Sequence, residues 1–262
     1  RMSVAAVAEM GAEWFQAGFV HGVLNTDNTV ITGESFDYGP WRFLPTLDPA
    51  FTAAYFDETG LYAYGRQAGA LFWNLQRLAE CLLPLSSEAA LVAALETFGS
   101  AYQTAVARFT LARLGLADQD GRGLDEIVRP FYAALAAANI PFERAFFDLV
   151  GGARKDRIAA SPYHIVYDAE PFASLTALMR DWPKAAGLEA ALAHSYFADQ
   201  APRTMLIDEV EAIWAPIAER DDWQHLHKAI AAIRQMGAAH APLIPSRASQ
   251  PAHRRFVVAA QP

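Results

Sequence analysis

Apolar residues spaced three and four apart run through most of this chain, and that spacing constrains the fold more than any other feature of the sequence. Val4, Val7, Met10, Gly11, Trp14 and Phe15 share one face of a helix predicted to end near Gly18. The pattern returns in Ala68, Leu71, Phe72, Leu75, Leu78, Ala79 and Leu82, and it continues through 88–114, 124–138 and 142–150. Gly151-Gly152 and Ser161-Pro162 mark a break. Beyond it, 172–180, 188–197, 204–219 and 222–236 form a further helical group. From Ala239 to Pro262 the chain is rich in Pro, Ser, Arg and His and reads as a flexible tail. Only between His21 and Pro49 does the rhythm change. There, two short β-prone pieces, Thr29 to Thr32 and Glu34 to Asp37, sit among turn-forming Asn, Asp, Gly and Pro residues and predict a small hairpin between loops. The expected fold is mainly α with a small β-hairpin.

Composition narrows the class. With 53% hydrophobic residues in 262, the chain can bury a sizeable core, which excludes disorder for most of its length. Lys and Arg number 21 against 29 Asp and Glu, and the resulting charge of −8 disfavours nucleic acid and anionic membrane as main partners. Neither an apolar run of about 18 residues nor a signal-like N-terminus is seen, so a cytoplasmic protein is expected. The single cysteine, Cys81, excludes an internal disulfide and, among Leu78, Leu82 and Leu83, reads as a small buried hydrophobe.

Chemistry concentrates in His21-Gly-Val-Leu-Asn-Thr-Asp-Asn28 and in Asp37-Tyr38-Gly39. Asp27, Asn28 and Asp37 lie in loops flanking the predicted hairpin, where their oxygens could converge. Carboxylate and amide oxygens suit a hard cation such as Mg²⁺, which needs one or two protein ligands besides water and phosphate. Protein kinases combine a catalytic loop, carrying a proton-accepting Asp and a later metal-binding Asn, with a short hairpin and an Asp-Phe-Gly whose Asp holds Mg²⁺. Asn28 and Asp37-Tyr38-Gly39 match the last two parts. Where the proton acceptor of such a loop stands, this chain has Val23, and a carboxylate follows at Asp27. Either the acid has moved to Asp27 or the site is inert.

Taken with Phe36-Asp-Tyr-Gly-Pro40 and Leu71-Phe-Trp-Asn-Leu-Gln-Arg-Leu78, the His21–Asn28 motif resembles the selenoprotein O family, kinase-like proteins that act as protein adenylyltransferases. The resemblance is densest over residues 1–85. It implies a kinase-like C-terminal lobe over 1–150, additional C-terminal helices over 151–238, and a tail over 239–262. It further implies that ATP binds in a flipped orientation and that AMP passes to Ser, Thr or Tyr hydroxyls of protein substrates. Asp27 would be the catalytic proton acceptor, Asn28 a metal ligand, and Asp37 a metal ligand that also faces the nucleotide. Mg²⁺, or Mn²⁺ in its place, would be the cation. The family's N-terminal lobe supplies a glycine-rich loop, a lysine and its Glu partner, and this sequence has no counterpart of them. The chain, which begins at Arg1, is therefore expected to be the C-terminal part of a longer polypeptide, to have that missing N-terminal lobe as its partner, and to be inactive alone. Ala201–Glu209 only loosely matches the family's Pro-Arg-Asn segment, with Thr204 where Asn is expected and Met205 where a polar residue is usual. A non-catalytic pseudokinase scaffold and a kinase-like phosphotransferase are the alternative readings.

Other polar residues have plainer roles. His21 is expected to be a hydrogen-bonded structural histidine. His225 and His227, two apart on a helix, face different ways and make a poor metal pair. Asp221 and Asp222 are expected to cap the last helix, Asp118, Asp120, Gly121 and Gly123 to form a solvated turn, and Gly151–Lys155 to end a helix rather than bind phosphate. Arg77 either supports the catalytic loop through a buried ion pair or is an ordinary helix arginine. Arg247, Arg254 and Arg255 form a small basic cluster in the tail.

Overall fold

A computed structural model describes residues 1–118 and 120–244. These residues form a mainly helical body with one small antiparallel sheet. Helix α1 (Met2–Ala17) buries Val4, Val7, Ala8 and Met10 and ends on Gly18, whose left-handed φ of 65° lets its N–H donate back to Phe15. A Cβ there would also stand 2.9 Å from the Phe142 ring, so the helix end and its neighbour both require glycine.

The sheet differs from expectation. Its strands are β1 (Phe19–Val20) and β2 (Arg42–Phe43), in the register Phe19 opposite Phe43, with the two rings 5.4 Å apart edge to face. The two pieces predicted as a hairpin are reduced to a single antiparallel bridge, Thr29 with Ser35, around a turn at Gly33. Two features stop the ladder there. Thr26–Asn28 winds into a 3₁₀ turn that ends immediately before the first limb, and Gly33, at φ 81°, lies so close to Ala6 that an added Cβ would meet its carbonyl at 2.6 Å.

After a long irregular segment, α2 (Gln67–Cys81) lies against α1 through Leu71 and Leu75. Cys81 is exposed rather than buried, because the last turn of α2 runs past its neighbours, leaving Leu83 and Leu85 exposed as well. The stretch predicted as one helix over 88–114 is two, α3 (Glu88–Leu95) and α4 (Phe98–Arg113), and α4 packs along α1. Leu124–Val128 is a π-helical turn that leads into α5 (Arg129–Ala138), after the turn at Asp120 and Gly121. Helix α6 (Phe142–Ala153) keeps helical geometry only to Leu149. Gly151 and Gly152, both at positive φ, then donate their N–H groups to Leu114 O, so these amides end a helix.

The short helices α7 (Lys155–Ala160) and α8 (His164–Tyr167) lead to α9 (Phe172–Asp181), α10 (Leu188–Leu192), α11 (Ile207–Arg220) and α12 (Gln224–His240). The main core joins α4, α5, α6, α8 and α9 through Phe109, Phe131, Phe142, Phe146, Tyr167 and Phe172. Asp222 caps α12 through the Gln224 N–H, whereas Asp221 ends α11 in the left-handed region and accepts from Trp223 Nε1. Thr204 and the Leu206 N–H both donate to Glu209, which fixes the start of α11. Helix α12 continues beyond Met236, and Ala239 and Leu243 are buried with Tyr196 and Phe197, so the chain stays packed past the boundary predicted at Ala239. Arg247, Arg254 and Arg255 lie outside the described residues.

Candidate active site

The candidate site is a loop clasped between α2 and the Asp-Tyr-Gly segment. His21 follows β1 directly and is fully buried. Its backbone N–H donates to Gln67 Oε1 at 2.9 Å, and Gln67 Nε2 donates to Phe19 O at 2.8 Å. One turn-pair further along α2, Asn74 Nδ2 donates to Leu24 O at 3.1 Å and to Asn25 O at 3.2 Å. Two buried amides on one face of α2 therefore satisfy the backbone of a loop that forms no ladder of its own. Gly22, at φ 88°, lets this loop cross the later segment, since a Cβ would come within 2.9 Å of Pro40.

The His21 ring reaches the other way. Its Nδ1 accepts from the Val23 N–H at 3.4 Å, while Nε2 lies 3.1 Å from Ser35 Oγ and 3.2 Å from Phe36 O. Ser35 Oγ in turn donates to Asn28 O at 2.6 Å. With the serine proton committed there, Nε2 must be the protonated nitrogen, donating toward Ser35 and Phe36. His21 is the hydrogen-bonded structural histidine expected from the sequence. It links the residues before the turn to those after the hairpin.

Asn28 is buried, and its Nδ2 donates to Val23 O at 2.9 Å, which leaves Oδ1 as the end free for a cation. Asp27 is exposed on the same 3₁₀ turn. Asp37 is exposed and held at φ 55°, a conformation that Asp tolerates better than most residues, with the Gly39 N–H closing onto its carbonyl at 2.7 Å. Tyr38 packs across the His21 ring at 5.2 Å and donates to Ser35 O. The Thr29–Ser35 bridge and the Ser35–Asn28 bond thus bring the Asn28 turn and the Asp37 segment together. The donors they offer, one amide oxygen and one carboxylate with a second carboxylate beside them, fit the sparse set Mg²⁺ takes when phosphates complete its shell. Among the described residues no group of three or more His, Cys, Asp and Glu is placed to hold a metal.

Sequence reasoning missed Gln67, Asn74 and Ser35. Arg77 does not reach the loop; it pairs with Glu80 at 2.6 Å and lies over Trp73 on the exposed face of α2. The available signal was polarity in the wrong place: Gln67 and Asn74 interrupt the apolar stripe of α2.

Burial lowers the pKa of His21 despite the nearby Asp37 carboxylate, and burial also lowers that of His240, held between Tyr196 and Phe197. Both are neutral when folded, so the unfolded chain binds protons first on acidification. Stability is expected to hold above pH about 6.5 and to fall below it, down through the depressed folded-state values. Thermal melts from pH 8 to 5 check this, and the double variant H21N/H240N should lose less on acidification than the parent.

Relatives named protein nucleotidyltransferase YdiU include those of a Synechococcus sp. (36% identical, covering 91% of this chain and 52% of the relative), a Synechocystis sp. (35%, 86% and 49%) and Gloeobacter violaceus (34%, 90% and 50%). Residues 1–234 match the family described as Protein adenylyltransferase SelO, and the chain belongs to that family. The match extends well past residue 85, where the motif-level resemblance thins. The chain spans about half the length of the curated relatives it matches.

Proposed function

We propose that the polypeptide containing this lobe is an ATP-dependent protein adenylyltransferase with a protein-kinase-like placement of its catalytic loop. The observation that carries this reading is the His21–Ser35–Asn28 clasp, which holds the Asp27–Asn28 turn against Asp37-Tyr38-Gly39. A target hydroxyl attacks the α-phosphorus of ATP, the bond from that phosphorus to pyrophosphate breaks, and Asp27 accepts the hydroxyl proton. Asn28 Oδ1 and the Asp37 carboxylate would hold Mg²⁺. When bound, the cation supplies charge neutralisation for the phosphates. Asp37 also faces the nucleotide. The remaining phosphate-cradling groups, a glycine-rich loop and a lysine, belong in this reading to the half of the polypeptide that the relatives have and this chain does not cover.

The single cysteine, Cys81, supports a cytoplasmic setting. Among the described residues no helix is long and apolar enough to cross a membrane. The test is label transfer by the full-length polypeptide. ATP labelled at the α-phosphate should label protein hydroxyls and ATP labelled at the γ-phosphate should not; the opposite result sinks AMP transfer in favour of a kinase-like phosphotransferase. Val23, at the usual acid position, favours a second reading as a pseudokinase scaffold. Calorimetry showing no ATP binding by the full-length polypeptide with Mg²⁺ would establish that one.

A further inference from the structure

Tyr62 lies outside every motif, in the stretch between the Asp-Tyr-Gly segment and α2. Its ring packs on the cluster of Leu24, Leu71 and Leu75, and its hydroxyl donates to Asn25 Oδ1 at 2.6 Å. Asn25 opens the turn that carries Asp27 and Asn28: its carbonyl accepts the Asn28 N–H at 3.1 Å and Asn74 Nδ2 at 3.2 Å. At the other end, the Asp57 carboxylate accepts the N–H groups of Leu61 and Tyr62 at 2.7 and 2.8 Å, which fixes where the tyrosine leaves the backbone. Burial, then the charges of Asp57 and Asp27, raise the phenol's pKa, so it remains a donor across the physiological range.

The two functional residues of the turn are held unequally. Asn28 is fixed through its own side chain to Val23 and through its carbonyl to Ser35. Asp27 makes no side-chain hydrogen bond among the described residues; on its side of the turn Asn74 holds the backbone carbonyls of Leu24 and Asn25, and the Asn25 side chain is held by Tyr62. We infer that Tyr62 is a positioning residue for the transfer reaction, its hydroxyl fixing the Asn25 end of the turn so that Asp27 faces the incoming hydroxyl. The same bond ties the turn to the 48–66 segment, where Tyr55 and Phe56 stand exposed. This inference rests on the reading of Asp27 as proton acceptor.

The separate anchoring of Asn28 predicts a split. In the full-length polypeptide, Tyr62→Phe keeps the ring and its packing and should lower kcat for AMP transfer about tenfold while leaving KM for ATP within about twofold. Asn25→Ala should do the same, and the double variant should be no slower than either single one, as expected for two halves of one bond. Amide exchange gives a readout that needs no catalysis: Tyr62→Phe should speed exchange at the Asn28 N–H about fivefold and leave the α2 amides unchanged. In an active parent, an unchanged kcat, a raised KM for ATP with kcat intact, or additive effects in the double variant overturns the inference. If the parent transfers no AMP, the functional reading fails by itself, and unchanged exchange at Asn28 would then overturn the clasp.

Discussion

Asp148→Ala is expected to destabilise the fold of this chain by about 3–5 kcal/mol. Asp148 is 2% exposed in the middle of α6. It accepts from Arg144 Nε, one helical turn earlier, at 2.8 and 2.9 Å to its two oxygens, and from the hydroxyls of Ser161 and Tyr167. Arg144 is itself buried and, among the described residues, has one further hydrogen bond, to Gln200 O. Removing the carboxylate leaves a buried guanidinium short of its counter-charge and two buried hydroxyls with no acceptor, each costing about 1–3 kcal/mol. Tyr167 cannot relieve this by ionising, because burial, reinforced by Asp148 in the wild-type protein, pushes its pKa far above the usual value. The comparison variant is Asp148→Asn, which retains the shape and one acceptor and should lose less. Urea unfolding at neutral pH measures both. The loss should persist in 0.5 M salt, in contrast to exposed pairs such as Arg122 with Glu126, since buried charges are little screened. A loss below about 1 kcal/mol for Asp148→Ala would mean that the network contributes no more than a surface pair.

That network also marks how far a sequence can be read. Asp148 lies in a helix whose periodicity was plain, yet nothing in the spacing shows that Ser161 and Tyr167 return to it, because the contacts depend on a turn at Gly151 and Gly152. The helices themselves were legible, since three- and four-residue spacing is a local property: α1 ends at Gly18 and α2 spans Gln67–Cys81, close to prediction. Pieces of structure shorter than their own period were not. Strands of two residues carry no alternation, so the pairing of Phe19 with Phe43 was invisible while the β-branched run Thr29–Thr32 suggested strands that a single bridge replaces. At the candidate site the residues bearing oxygen were legible from the motif. The groups that orient them, Gln67, Asn74, Ser35 and Tyr62, act on backbone atoms or neighbours far along the chain and left only the weak sign of polar residues in apolar stripes.

The sharpest test of the site separates its two carboxylates. Asp37→Asn in the full-length polypeptide should lower AMP transfer by about 10³-fold or more, because the charge lost is the one that would hold Mg²⁺ against the phosphates, an effect of several kcal/mol. Asparagine suits the experiment better than alanine: it tolerates the left-handed backbone at φ 55°, and the side chain it replaces is exposed, so the fold should melt unchanged. Asp27→Asn should also be slow, by about 10²–10⁴-fold, since a general base is lost. The two variants should differ in what they bind. Asp27→Asn should keep the ATP affinity measured by calorimetry with Mg²⁺, because Asn28 and Asp37 are intact, whereas Asp37→Asn should weaken it. Equal loss of ATP affinity in both variants would mean that Asp27 belongs to the metal shell rather than acting on the hydroxyl. Retention of more than about a tenth of the transfer rate in Asp37→Asn would remove Asp37 from the nucleotide site altogether, and with it the match between this loop and the Asp-Tyr-Gly segment clasped to it.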